Sequence, residues 1–191
     1  MLCHWGQGHR CTQINRLGFK IYLILSQQYG GGTYAEYIAV PWDRIFPIPP
    51  DSGIDTRTGA AGYLQATTVI SFMEEAYAVK KGDTILVHTI AGGFGLIAAQ
   101  YAKWKGATVI GTTSRDEKAR IAERHGADHV IVYTKEDTVQ RVLELTNGVG
   151  VDAVFDGVGL DTYVYGFMRI QSRKGELTCA CLSGSKTISS S

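Results

Sequence analysis

The residues best placed to do chemistry lie in the run Ile90-Ala91-Gly92-Gly93-Phe94-Gly95. It follows an apolar strand-like segment, TILVHT, and leads straight into a helical pattern, GLIAAQYAKWKG. A helix start offers unpaired amides and the positive end of the helix dipole, and residues without a Cβ let an anion approach those amides closely. Placement between strand and helix makes Gly92, Gly93 and Gly95, with Phe94 in the same turn, candidates for holding a dinucleotide pyrophosphate. A second group ends the next strand-like run: Gly111-Thr112-Thr113-Ser114-Arg115-Asp116-Glu117-Lys118. An NAD site usually has a carboxylate here for the ribose hydroxyls. This strand end carries hydroxyls instead, with Arg115 and Lys118 within the next turn, a composition able to neutralise a 2′-phosphate. NADP(H) is therefore expected over NAD(H). The same residues admit plainer roles: a turn that only packs, Ser114 as a helix cap, Arg115 and Lys118 as a solvated face, and Asp116 as the ribose carboxylate.

Other reactive side chains carry less. His88 closes the first strand of the pattern beside the glycine turn, where a buried structural histidine is the expectation rather than a catalytic one. Cys3, His4, His9 and Cys11 are zinc-type ligands in a compact set, but their spacing matches no standard zinc module, so no metal is expected.

The elements that must position these groups alternate from Gly82 onward between apolar runs and helical patterns, as in a parallel sheet with crossover helices. Strands are expected at residues 84–89, 108–112, 129–133, 152–156 and 176–182. The first helix should turn Ile97, Tyr101 and Trp104 to one face and close at Gly106. The second opens on Ser114 and Glu117, a capping-box pair, and ends at Gly126. The third, residues 137–146, should place Val139, Val142 and Leu143 inward. Upstream, residues 33–40 read as a strand led by the glycines at 30–32, and all four prolines fall in VPWDRIFPIPP, an extended connector. Residues 1–29 show no sustained periodicity beyond a short apolar run at 21–25. The closing SGSKTISSS has the composition of a flexible tail.

A chain of 191 residues, 45% apolar, suits one substantial core. Lys plus Arg at 19 against Asp plus Glu at 18 leaves no field to draw it to nucleic acid or an anionic membrane, so a small-molecule partner is expected. No apolar run is long enough to cross a membrane, and four cysteines without a disulfide framework suit the cytoplasm.

Taken in order, GGTYAEYIAVPWDRIFPIPP, AAGYLQATTVISFMEEAYAVKKGDTILVH, AGGFGLIAAQYAKWKGATVIGTTSRDEKARIAERHGADHVIVYTKED and DAVFDGVGLDT resemble the zeta-crystallin-like, zinc-free quinone oxidoreductases of the medium-chain dehydrogenase/reductase superfamily. The resemblance runs from about Gly30 to about Ser185. It implies an α/β fold in which a doubly wound Rossmann domain is inserted in a GroES-like β domain. Here residues 1–29 would be an unassigned leader, 30–55 a remnant of the GroES-like domain and connector, 56–185 the NADP(H)-binding domain and 186–191 the tail. It implies hydride transfer from NADPH to a quinone or conjugated carbonyl. By the same resemblance Gly92, Gly93 and Gly95 form the pyrophosphate turn, Ser114 and Lys118 contact the 2′-phosphate, Tyr133 covers the adenosine end and Thr68 lies near the nicotinamide. Gln65 adjoins Thr68, and residues 157–159 border the nicotinamide ribose. Thr89, Phe94 and the Ala66-Thr67-Thr68-Val69 run depart from the family's pattern. Most of the substrate-side domain has no counterpart, so truncation at both ends is expected, no catalytic acid or base is assigned, and the family's homodimer strand is expected to be missing. An alternative class is a nucleotide- or RNA-binding protein without turnover, although no basic stripe with interleaved aromatics supports RNA.

Overall fold

The computed structural model describes residues 4–5, 9–10, 20–23, 45–159, 162, 176–181 and 184–189. It divides into two compact units, Met1–Leu64 and Gln65–Ser191. The strand expected at 33–40, its leading glycines, and Cys3 and Cys11 lie outside the described residues.

In the first unit β1 (His4–Trp5) pairs antiparallel with β2 (His9–Arg10), and β3 (Lys20–Leu23) with β4 (Ile45–Ile48). Part of the expected connector is thus a strand, with Pro47 opposite Ile21. A two-stranded ribbon tolerates this, because the missing amide of a proline matters little on an edge. A 3-10 turn, Pro50–Ser52, follows. Helix α1 (Thr56–Ser71) starts where the Asp55 carboxylate accepts the Thr58 amide at 2.8 Å and the Thr58 hydroxyl at 3.1 Å. The helix continues as a π turn, Phe72–Ala76.

The second unit is a twofold-wound sheet. Its elements are β5 (Thr84–Val87), α2 (Gly93–Lys105), β6 (Thr108–Thr113), α3 (Asp116–Arg124), β7 (His129–Val132), α4 (Thr138–Leu145), β8 (Ala153–Asp156), β9 (Glu176–Cys181) and β10 (Gly184–Ser189). Among the described residues the strand order is β10-β9-β8-β5-β6-β7, parallel except for β10. The inner strands β5, β6 and β8 read as apolar runs because both faces are buried. Ile85, Val87, Val109, Ala153 and Phe155 join Val69, Met73 and the alanines of α2 in one core. Leu86, Ile110, Ile131 and Val154 join Val142 of α4 in the other. The expected strands and the doubly wound α/β class are present.

Four expectations need correction. Helix α2 turns Gly95, Ala98, Ala99 and Ala102 inward, while Trp104 is 76% exposed and Ile97 and Tyr101 only flank the core. A stripe of glycine and alanine lets the helix lie so close to the sheet that large side chains are displaced to its sides. Tyr101 packs on Trp104 with centroids 5.5 Å apart and donates its hydroxyl to Glu74, which Lys105 also meets at 2.5 Å. At α3 the capping box does not form: Arg115 holds the cap position and no side chain caps it. At α4, Leu145 rather than Leu143 completes the inward face with Val139 and Val142, and Asp137 caps the helix by accepting the Gln140 amide at 2.9 Å. Finally, the closing segment is not a tail. Gly184–Ser189 is a sixth strand, antiparallel to β9 at the sheet edge.

Gly111 of β6 stands where the Ile90 side chain arrives: a Cβ at Gly111 would lie 2.5 Å from the Ile90 Cβ. That atom is next to the backbone and cannot swing away. Gly111→Ala should cost about 1–3 kcal/mol in urea unfolding. The cost should shrink in an Ile90→Gly background, which removes that Cβ as well, and equal costs in the two backgrounds would refute the contact.

Candidate dinucleotide site

The carboxyl ends of β5, β6, β7 and β8 all lie at one end of the sheet. The order reverses around β5, from which the chain winds out through β6 and β7 and returns to β8 on the other side. A crevice at such a reversal is where open α/β sheets take ligands.

The glycine turn occupies this place. Gly92 is the cap residue of α2 in extended geometry, with no side-chain cap, and its amide is spent on Thr89 O at 2.8 Å. The amides of Gly93, Phe94 and Gly95, in the first turn, have no carbonyl a turn back to receive them. Gly92 and Gly93 are exposed, while Gly95 is buried. The three glycines do different things. A Cβ at Gly95 would lie 2.4 Å from Ile90 O, so this glycine is a packing necessity. At Gly92 and Gly93 the nearest atoms would be Thr89 O at 3.2 Å and the Gln65 Cγ at 3.3 Å. Phe94 is half-buried, its ring edge-on to Phe72 at 5.9 Å. Thr89 opens the turn with a positive φ of 52°, and its hydroxyl donates to His88 O at 2.7 Å.

Backbone bonds tie the turn to its neighbours. Ile90 N donates to Thr112 O and His88 N to Phe155 O, both at 3.0 Å. His88, 5% exposed, lies just past β5 and meets the Thr112 hydroxyl through Nδ1 at 3.0 Å. Its Nε2 is buried without a partner, as is Gln65 Oε1 beside Gly93. Burial holds the His88 pKa below its ordinary value, against a smaller opposing pull from the Asp156 carboxylate. The ring is therefore neutral. Asp156, which sequence reasoning passed over, is itself buried at the end of β8. It accepts Val158 N at 2.8 Å, Gly159 N at 3.3 Å and the Thr162 hydroxyl at 2.6 Å. An aspartate just before Gly157 and Gly159 was the available signal for such a side-chain-held turn.

At the end of β6, Ser114 is half-buried and Arg115 and Lys118 are exposed. Neither cation has a side-chain partner among the described residues. Asp116, by contrast, pairs with Lys135 at 2.5 Å, which lowers its pKa. Tyr133, 52% exposed, follows β7 with its amide on Thr113 O at 3.0 Å, and the Thr134 hydroxyl donates to Ser114 O at 3.0 Å. The turn and the ends of β6 and β7 are thus stapled together. Thr68 is half-buried on α1, and it is Gln65, one turn earlier, whose side chain meets Gly93.

A family model described as zinc-binding dehydrogenase matches residues 93–190. The chain belongs to this family. Among the family's relatives, a quinone oxidoreductase of Pseudomonas aeruginosa is 42% identical over 132 residues, 69% of this chain and 40% of that protein. A 2-haloacrylate reductase of Burkholderia is 38% identical over 131 residues, 69% of this chain and 39% of the relative. The crystal structure of an Escherichia coli quinone oxidoreductase complexed with NADPH superimposes with a TM-score of 0.64 at 39% identity, over 68% of this chain and 39% of that one. The chain thus spans about two-fifths of the length of these relatives. The family's name implies zinc. Among the described residues no three His, Cys, Asp or Glu side chains come together as a metal site.

A histidine with a lowered pKa binds fewer protons in the folded than in the unfolded state. Its contribution is complete above the unfolded value, about 6.5, and is lost as pH falls from there through the folded value. The urea midpoint should therefore drop between pH 7.5 and pH 5.5, a window above the ordinary carboxylates. His88→Gln should flatten that drop, and an unchanged pH dependence would show that His88 is not its source.

Proposed function

We propose that this chain is the nucleotide-binding part of an NADPH-dependent reductase of the quinone oxidoreductase type, which passes hydride to a quinone or another conjugated carbonyl. The observation that carries the reading is the uncapped start of α2 at the sheet's reversal point, with exposed Gly92 and Gly93, and with Arg115 and Lys118, which have no side-chain partner among the described residues, just past the end of the adjoining strand. The first group suits a pyrophosphate and the second a 2′-phosphate. The two buried polar atoms left unpaired on either side of the turn, Gln65 Oε1 and His88 Nε2, add hydrogen-bonding capacity of the kind a bound polar ligand uses. The relatives' names support the reaction, and the NADPH complexed with the E. coli quinone oxidoreductase supports the cofactor.

When bound, the nicotinamide supplies the hydride chemistry. The chain's residues bind and orient. Gly93 presents its amide, Gly92 leaves the approach to it open, Gly95 lets the helix start lie against Ile90, and Ser114 and Lys118 receive the 2′-phosphate. Phe94 braces the turn through Phe72, Tyr133 lies over the adenosine end and Thr68 lies near the nicotinamide. No residue is assigned as an acid or base. The proposed nucleotide-binding domain runs from residue 56 past the expected end at 185, through β10, and residues 30–55 belong to a second domain. For the whole protein, cytoplasmic placement and homodimers belong to the same proposal. The few cysteines, and the absence among the described residues of a helix long and apolar enough to cross a membrane, support the first. Strand β10 at the sheet edge accords with the second.

Titration of the chain with NADPH, followed by tryptophan fluorescence with NADH alongside, should show saturable binding with NADPH preferred. Lys118→Glu should weaken NADPH by about tenfold or more and NADH far less, because only the former carries the 2′-phosphate. A folded chain that binds neither nucleotide would sink the proposal.

A further inference from the structure

The corner where β6 meets α3 carries an acidic side chain just past the strand end, near the position where a carboxylate ordinarily favours NADH. Asp116 is the first residue of α3, two residues after Ser114 and two before Lys118. A carboxylate there accepts ribose hydroxyls and repels a phosphate. Its charge is answered from outside the corner. Lys135 Nζ lies 2.5 Å from Asp116 Oδ2, and the two residues are 19 apart in sequence.

The loop that carries Lys135 is fixed to the same corner. Tyr133 N donates to Thr113 O at 3.0 Å, the Thr134 hydroxyl to Ser114 O at 3.0 Å, and Lys135 N to Val132 O at 2.8 Å. The backbone from which the Lys135 side chain reaches Asp116 is therefore fixed to the corner. The neighbouring charges are Arg115, Glu117, Lys118 and Arg120, all exposed, and of these Arg120 also acts favourably on Asp116. Glu136, next in the loop, is engaged by Arg141 at 3.5 Å and by the Val132 amide at 3.2 Å.

We propose that Lys135 is a specificity-determining residue that acts through Asp116: by occupying that carboxylate it removes an acceptor for the ribose hydroxyls and a repulsion toward a 2′-phosphate, and so biases the site to the phosphorylated dinucleotide. This rests on the dinucleotide reading of the site. The pair is exposed, so its effect on stability is small, and its effect on selectivity is screened by salt.

The ratio of NADH to NADPH dissociation constants tests the inference on the full chain, because a purely structural role would weaken both nucleotides together. Lys135→Ala should lower the preference for NADPH by about three- to tenfold at low salt. Lys135→Arg should keep it, and adding Asp116→Asn to Lys135→Ala should restore it, since no carboxylate is then left to repel the phosphate. An unchanged ratio in Lys135→Ala, with the parent chain still preferring NADPH, overturns the inference and leaves the dinucleotide site standing. So does a double variant as impaired as Lys135→Ala, which would mean that Lys135 meets the phosphate directly. A folded parent chain that binds neither nucleotide overturns both.

Discussion

Ile90 occupies two vacancies at once. Its side chain fills the space that a Cβ on Gly111 would need, and its carbonyl lies where a Cβ on Gly95 would be, while the residue itself is fully buried. The start of α2, the turn before it and β6 therefore meet at one residue with no slack. Protein interiors transmit such contacts because they are packed to crystal density. The angle at which α2 leaves the sheet, and hence the direction in which its first amides point, depends on that meeting.

The polar groups around the turn rest on the same frame. The amide of Ile90 is bonded to Thr112, His88 is bonded to Phe155 through its amide and to Thr112 through its ring, and Asp156 holds the turn after β8. These bonds cross three adjacent strands at the end of the sheet. The two buried polar atoms that stay unpaired, on Gln65 and His88, belong to residues touching this turn or continuous with it. An orphaned buried group costs about 1–3 kcal/mol. The stability of the two cores in the second unit is what sustains that cost.

Charge is distributed as unevenly as packing. At the other end of the sheet, aspartates are used to finish strands: Asp152 accepts the Thr84 amide and Asp128 the Val109 amide. At the site end two carboxylates are engaged elsewhere, Asp156 by its own turn and Asp116 by Lys135, and Arg115 and Lys118 have no side-chain partner among the described residues. The result is a cationic corner next to a row of free amides in a chain whose net charge is only +1. A local field of this kind is not visible in composition.

Much of this was legible along the chain. The glycine turn could be read because Gly92, Gly93 and Gly95 sit between an apolar run and a helix, and the requirement they meet is local. The parallel strands could be read because burial on both faces makes them continuously apolar, and the αL closure of α2 at Gly106 because a left-handed residue there favours glycine. Other features were decided by neighbours distant in sequence. Periodicity grouped Trp104 with Ile97 and Tyr101 on one face, but the face of α2 that meets the sheet is made of alanines and Gly95, and Trp104 stays exposed. Ser114 and Glu117 had the spacing of a capping box, yet the chain enters α3 one residue later, at Arg115, and the Ser114 carbonyl serves Thr134. Gly184–Ser189 carries almost no apolar signal along the chain, and its place in the sheet is seen in its backbone pairing with β9. The pairing of Lys135 with Asp116 follows from β7 lying beside β6, which only the folded sheet brings about. Local conformational demands and burial patterns are written residue by residue, whereas which side chains share a corner is settled by strand order and by the closeness of helix to sheet.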